Sequence, residues 1–240
     1  MIKFIDDMDI YKKIEQKLVE LGLAELNSRP YDCAHSVLEC NASDQRLVVV
    51  GFNGSDADLE WTNLSAVQHG KANPLESNVI NGAQGAWLST TLPKRLLALP
   101  EELGFSSSST VYTNAILLCS ENAAAVKKKA KAVGFSGVDV LVDRSLDFFE
   151  QVTIAEFKPD LILAYSNSLN DLSAASVLRK RFAVGEIYQS NRSRYYNTFS
   201  FMSQIAGRRV PVVCIRHMSR FKPCVESIRE AWDFQVKTNG

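Results

Sequence analysis

The stretch Gln45-Arg46-Leu47-Val48-Val49-Val50-Gly51-Phe52 decides the fold, because four apolar residues run without a polar break into a glycine. A strand exposed on one face alternates apolar with polar residues. A continuous apolar run of this length belongs to a strand covered on both faces. Three further segments share the pattern: Thr110–Leu118 (TVYTNAILL), Asp160–Tyr165 (DLILAY) and Val210–Ile215 (VPVVCI). A weaker fifth is Val138–Val142 (VDVLV).

Helical segments lie between these runs. Ile10, Ile14, Leu18 and Leu21 recur every three or four residues within Asp9–Leu23, which predicts an amphipathic helix. Ser120 is expected to cap a helix over Glu121–Val133, with Ala123, Val126, Ala130 and Val133 inward. Leu146–Phe157 leads through Pro159 into the third strong strand, and Asn167 or Ser168 is expected to cap a helix reaching about Phe182. The last helix follows Pro223, with Val225, Ile228 and Trp232 inward. Strands alternating with helices imply an α/β chain. The expected architecture is a three-layer α/β/α sandwich around a mostly parallel, about four-stranded sheet. All 240 residues are read as one domain, with residues 1–25 forming a helix packed on it.

The apolar share of 46% and charged share of 22% suit a globular core. No apolar run reaches the roughly 18–20 residues a membrane span needs, and Asp6, Asp7 and Asp9 break any secretory leader. Cys33, Cys40, Cys119, Cys214 and Cys224 form no CxxC pair, so free thiols and a cytoplasmic location are expected. Net charge is zero, yet Arg179–Lys222 carries ten cations opposed by Glu186 alone. Such a segment either tracks phosphates or is a solvated surface.

In parallel sheets the ligand site lies beyond the carboxyl ends of the strands. Those ends carry Gly51-Phe52-Asn53-Gly54-Ser55, Ser166-Asn167-Ser168 and His217-Met218-Ser219, while Asn114 lies inside the second strand. Gly51 allows a sharp turn, Gly54 allows close approach by a ligand, and the Asn53 amide can orient a water or grip a base edge. No GxGxxG or GxxxxGK[ST] pattern is present. Asn114 must be hydrogen-bonded if buried, to the fold or to the planar amide of a ligand. A neutral His217 is either a structural residue or a donor to a developing oxyanion. Residues 54–90 are polar and too long for a simple connection, as a functional loop would be. Asp56, Asp58 and Glu60 alternate as metal-loop ligands do but lack a glycine at the spacing a calcium loop needs, and His217 and Ser219 lack a third member for a nucleophilic triad.

Taken in order, Val48–Ser55 (VVVGFNGS), Val111–Cys119 (VYTNAILLC), Phe157–Asn167 (FKPDLILAYSN) and Val212–Ser219 (VVCIRHMS) resemble the motifs of the uracil-DNA glycosylase superfamily. The resemblance runs from about Gln45 to Gln235. It implies hydrolysis of the N-glycosidic bond of a damaged or deaminated base flipped out of DNA. Asn53 would position the attacking water, Asn114 would read the flipped base, and His217 would hydrogen-bond the departing base at O2. Gly51, Phe52, Gly54, Ser55, Trp61, Ser166, Asn167 and Ser219 would line the site. One of Phe52, Trp61 and Trp87 would stack on the base. Arg192, Arg194, Arg216, Arg220 and Lys222 would contact DNA, and Phe221 would fill the gap left by the flipped base.

The resemblance implies no metal and no cofactor. Cys119 matches one ligand of the iron–sulfur cluster some relatives carry, but no partner cysteines accompany it. Three departures stand out: Gly54 and Met218 replace motif prolines, and Tyr165-Ser166-Asn167 replaces a Leu-Gly turn. Two other readings stay open. The chain is either an altered or inactive relative that binds nucleic acid or a protein partner, or an unrelated α/β protein that binds a nucleotide or small metabolite. Oligomeric state is not readable.

Overall fold

The computed structural model describes residues 7–28, 45–54, 61–72, 90–106, 109–190 and 197–239. The four apolar runs form a parallel core: β2 (Leu47–Asn53), β4 (Thr110–Ile116), β5 (Leu161–Ala164) and β8 (Arg208–Cys214). Leu47–Val50 and Leu161–Ala164 are buried throughout, as residues covered on both faces must be. A small outlying ladder pairs β1 (Asn27–Ser28) with β3 (Trp61–Thr62).

The central sheet has six strands in the order β4-β2-β5-β8-β7-β6, two more than expected. The extra pair, β6 (Ala183–Gln189) and β7 (Phe199–Ile205), is an antiparallel extension of β8. Phe199, Phe201, Met202 and Ile205 of β7 enter the core together with Ser200 and Ser203. Their hydroxyls donate to Ala231 O at 2.8 Å and Val210 O at 2.7 Å, which satisfies them and lets polar residues occupy a buried strand.

Helices cover both faces. On one lie α1 (Asp7–Glu20), α2 (Asn63–Ala72), α4 (Ala123–Ala132), α5 (Val138–Phe148) and α6 (Ala174–Phe182), packed on Val48, Val50, Ile162, Ala164 and Val212. On the other lie α3 (Thr91–Leu103) and α7 (Val225–Asn239), packed on Leu47, Val49, Leu161, Leu163 and Val213. The N-terminal helix docks through Tyr11, Ile14, Leu18 and Leu21.

Three local expectations change. Val138–Val142 opens α5 rather than forming a strand, because Leu141, Val142, Ser145, Leu146 and Phe148 bury at helical spacing. The chain continues through a π-helical segment, Phe149–Ile154, and a final turn to Phe157. Five residues were too few to show that period. Asn122, not Ser120, caps α4 by accepting from Ala125 N at 3.0 Å. Ser173, with a reciprocal bond to Ser176, caps α6 in place of Asn167 or Ser168.

Among the described residues no helix is long and apolar enough to cross a membrane.

Candidate functional site

Among the parallel strands β2 comes first, β4 lies on one side of it, and β5 and β8 follow on the other. The winding therefore reverses between β2 and β5, which is where an open α/β sheet forms a crevice for a ligand. Gly51–Gly54 and Tyr165–Asn167 flank that point.

Side chains alternate along a strand, so Gly51 shares a face with Leu47 and Val49, and Tyr165 with Leu161 and Leu163. Gly51 pairs with Asn114 across β4. A Cβ on Gly51 would lie 2.5 Å from the Tyr165 hydroxyl and closer still to Asn114 Oδ1. The two polar tips thus converge above the one position without a side chain. Tyr165 meets His217 edge to face, with ring centroids 5.5 Å apart. The sheet brings Asn114 and His217 to one face, joined by Tyr165.

His217 follows β8 by three residues and accepts twice at Nδ1. The Ser219 amide donates at 3.3 Å and the Ser219 hydroxyl lies at 2.7 Å. A backbone N–H can only donate, so Nδ1 carries the lone pair and the proton sits on Nε2. Partial desolvation, then the nearby Arg220 guanidinium, push the imidazole pKa below its usual value. The ring is therefore neutral at pH 7 and presents an N–H donor. Its turn is closed by the amides of Arg220 and Phe221, each bonding His217 O at 3.1 Å. Met218 is buried against Ile215 and Ile228, and its carbonyl accepts from Arg95 Nη1 of α3 at 2.6 Å. The turn is held by an arginine clamp from another layer.

In the window between the depressed folded pKa and about 6.5, the unfolded chain holds a proton that the folded chain does not. His217 therefore lowers stability as pH falls through that window, and below the folded pKa the effect is complete. Arg220→Gln is expected to raise the midpoint, read from the His217 Cε1 proton by NMR. An unchanged midpoint would remove Arg220 as a cause.

Asn53 occupies a different environment. Its Nδ2 lies 2.9 Å from Gly54 O, 3.0 Å from Ser120 O, 2.9 Å from Ser120 Oγ and 3.4 Å from Leu118 O. Three of these are carbonyl oxygens, which only accept, so the amide nitrogen must face them and Oδ1 must turn away. Asn53 stitches β2 to the turn before α4. Gly54 supports the same junction, its carbonyl accepting from Ser120 N at 2.9 Å. Ser166 O accepts from Ala175 N at 3.0 Å, and the Asn167 amide donates to Asn197 O. These two residues hold the strand end against α6 and the segment entering β7.

Two of the three expected aromatic partners, Phe52 and Trp61, do not join this face. Phe52 and Trp61 pack against the opposite core, and Trp61 contacts His69 edge to face at 4.8 Å. Tyr165 is the aromatic ring beside Asn114; in the sequence it registered only as a departure from a Leu-Gly turn. Ser55, Trp87, Arg192 and Arg194 lie outside the described residues.

Nor do the described cations form one stripe. Arg179, Lys180 and Arg181 end α6, where Arg181 pairs with Asp147 at 2.6 Å and Asp143 at 3.4 Å. Arg208 and Arg209 open β8, roughly 20 Å of strand away from its carboxyl end. Arg216, Arg220 and Lys222 follow the end of β8 near His217 in the chain, and Arg220 is close enough to act on its ring. The Arg216 guanidinium stacks 3.8 Å over the Phe221 ring. Phe221 is thus half-buried under a cation instead of projecting alone.

No protein-family model matches the chain, and no curated protein matches it.

Proposed function

We propose that this chain is a divergent uracil-DNA glycosylase-like hydrolase acting on a deaminated or damaged base flipped out of DNA. The observation that carries the reading is the pairing, on one face at the strand ends, of a buried carboxamide with a neutral imidazole. Asn114 supplies the amide for a base edge, and His217 Nε2–H supplies a donor for charge developing on a base oxygen. In such a reaction a water oxygen bonds to the sugar C1′ as the base leaves with the electron pair of the C1′–N bond. The base departs as an anion, and the proton the water gives up passes through solvent to that anion. Asn53 Oδ1, turned away from the carbonyls that hold its nitrogen, is the acceptor assigned to that water. Arg216, Arg220 and Lys222 supply phosphate contacts beside the site. The residues ask for no metal or cofactor in this scheme.

The test is release of uracil or hypoxanthine from a defined oligonucleotide at low salt, read as alkali-labile strand breaks. Release is expected; none across a panel of damaged bases would overturn the hydrolase reading. The use of Asn53 as a structural stitch favours a second reading, a relative that binds nucleic acid or a protein partner without cleaving. A salt-dependent gel shift without base release would mark it. Thermal stabilisation by a mononucleotide but not by DNA would instead mark a nucleotide-binding protein of another lineage.

A further inference from the structure

We infer that two copies of this chain associate about a two-fold axis through the groove between α5, α6 and β6. The groove has a volume of about 750 Å³ and lies at the edge of the sheet, where β6 is the terminal strand. Buried Val142 and Leu146 of α5 and Val177 of α6 line it. Leu169, ahead of α6, and Ile187 of β6 join them, yet these two are 42% and 40% exposed.

Ile187 owes its position to an irregular ladder. Val184 pairs with Met202 and Tyr188 with Ser200, so Gly185, Glu186 and Ile187 stand opposite Phe201 alone. All three are exposed, and Gly185 takes a φ of +74°. A bulge of this kind ordinarily shields an edge strand from further pairing. Here it also lifts an isoleucine into water beside an apolar groove, an arrangement that favours a covering surface.

The charges around the groove choose the occupant. Asp171 lies just before the Ser173 cap of α6, and Arg179 and Lys180 are exposed on its last turn. The two ends are about 10 Å apart along the helix. A half-turn that lays two α6 helices antiparallel sets the Asp171 end of each copy against the cationic end of the other. A two-fold interface needs a surface complementary to itself, and an acidic end joined to a basic end by an apolar groove is one. Arg181 is not counted in this set, because it pairs with Asp147 and Asp143 within the chain. Asp171 accepts from Ser168 Oγ at 3.2 Å, which takes one of its lone pairs. The inference is independent of the chemistry proposed at His217.

Sedimentation velocity on the full chain is expected to show a monomer–dimer equilibrium between about 1 and 100 µM. Ile187→Asp, Lys180→Glu and Asp171→Lys should each weaken it at least about tenfold, with far-UV circular dichroism unchanged. An equimolar mixture of Lys180→Glu and Asp171→Lys chains should recover dimer to within about threefold of the native affinity. In that mixed pair both contacts again join opposite charges, and one chain carrying both reversals should recover likewise. The Ile187 and Lys180 variants alter exposed side chains alone, so they test the face even if Asp171→Lys loosens its loop. A chain that stays monomeric at about 100 µM would overturn the inference. So would a dimer that Ile187→Asp and Lys180→Glu leave intact, which would use another face. Reversals that do not rescue each other would overturn it as well, and would assign the groove to a different protein or a small ligand. Assembly beyond a dimer would also overturn it, since a two-fold contact closes on itself.

Discussion

Replacing Gly51 with valine is expected to lower the free energy of unfolding by about 3 kcal/mol. Nothing in the local backbone argues for that loss. Gly51 lies inside a buried strand, where a β-branched residue ordinarily gains through strand preference and a stiffer unfolded chain. The opposing effect is steric: the first atom of any side chain would meet Asn114 Oδ1, the Tyr165 hydroxyl and Tyr165 Cζ, the last at 2.9 Å. Asn114 is buried on β4 and the Tyr165 ring abuts His217, so both must shift to admit a side chain. Gly137, at the N-cap of α5, is the natural control. No atom lies within 4 Å of a Cβ there, and Gly137→Ser is expected to gain a few tenths of a kcal/mol as a better cap. The urea midpoint reads both. A Gly51→Val chain as stable as the native one would mean that the two side chains do not converge above β2.

His217→Ala is expected to slow base release by about a hundred- to a thousandfold, the scale of losing one fixed donor to a developing oxyanion. Asn114→Ala is expected to lower kcat/KM by about ten- to a hundredfold, the scale of one lost polar contact to the base. Single-turnover kinetics on a uracil-containing oligonucleotide separate the two effects. The histidine variant should bind normally and react slowly, and the asparagine variant should also lose selectivity. Equal rates in the native chain and His217→Ala would remove the imidazole from the reaction.

The parallel strands were legible because burial on both faces leaves an unbroken apolar run, as at Leu47–Val50 and Leu161–Ala164. Their ends pointed to Asn114 and His217, which the fold brings to one face. The β6–β7 pair was hidden by its own chemistry. Ser200 and Ser203 look like surface residues until Ala231 O and Val210 O satisfy them, and the neighbouring arginines drew that region toward a reading by charge. Linear counting of cations cannot see their placement: a strand carries Arg208 to one end of the sheet and leaves Arg216 at the other. Asn53 and Asn114 are alike as letters. Which one has its amide nitrogen taken up by the fold depends on the turn before α4, whose carbonyls hold Asn53 Nδ2, and no local pattern specifies such a contact.

The Arg95 clamp has a dynamic consequence. A proline stiffens a turn through its own ring, whatever its surroundings do. The turn at His217 instead depends on a helix in another layer, so its order is borrowed from α3. Amide exchange at Arg220 and Phe221 should then report the opening of α3 rather than of β8. Any event that displaces that helix would loosen the imidazole without touching it.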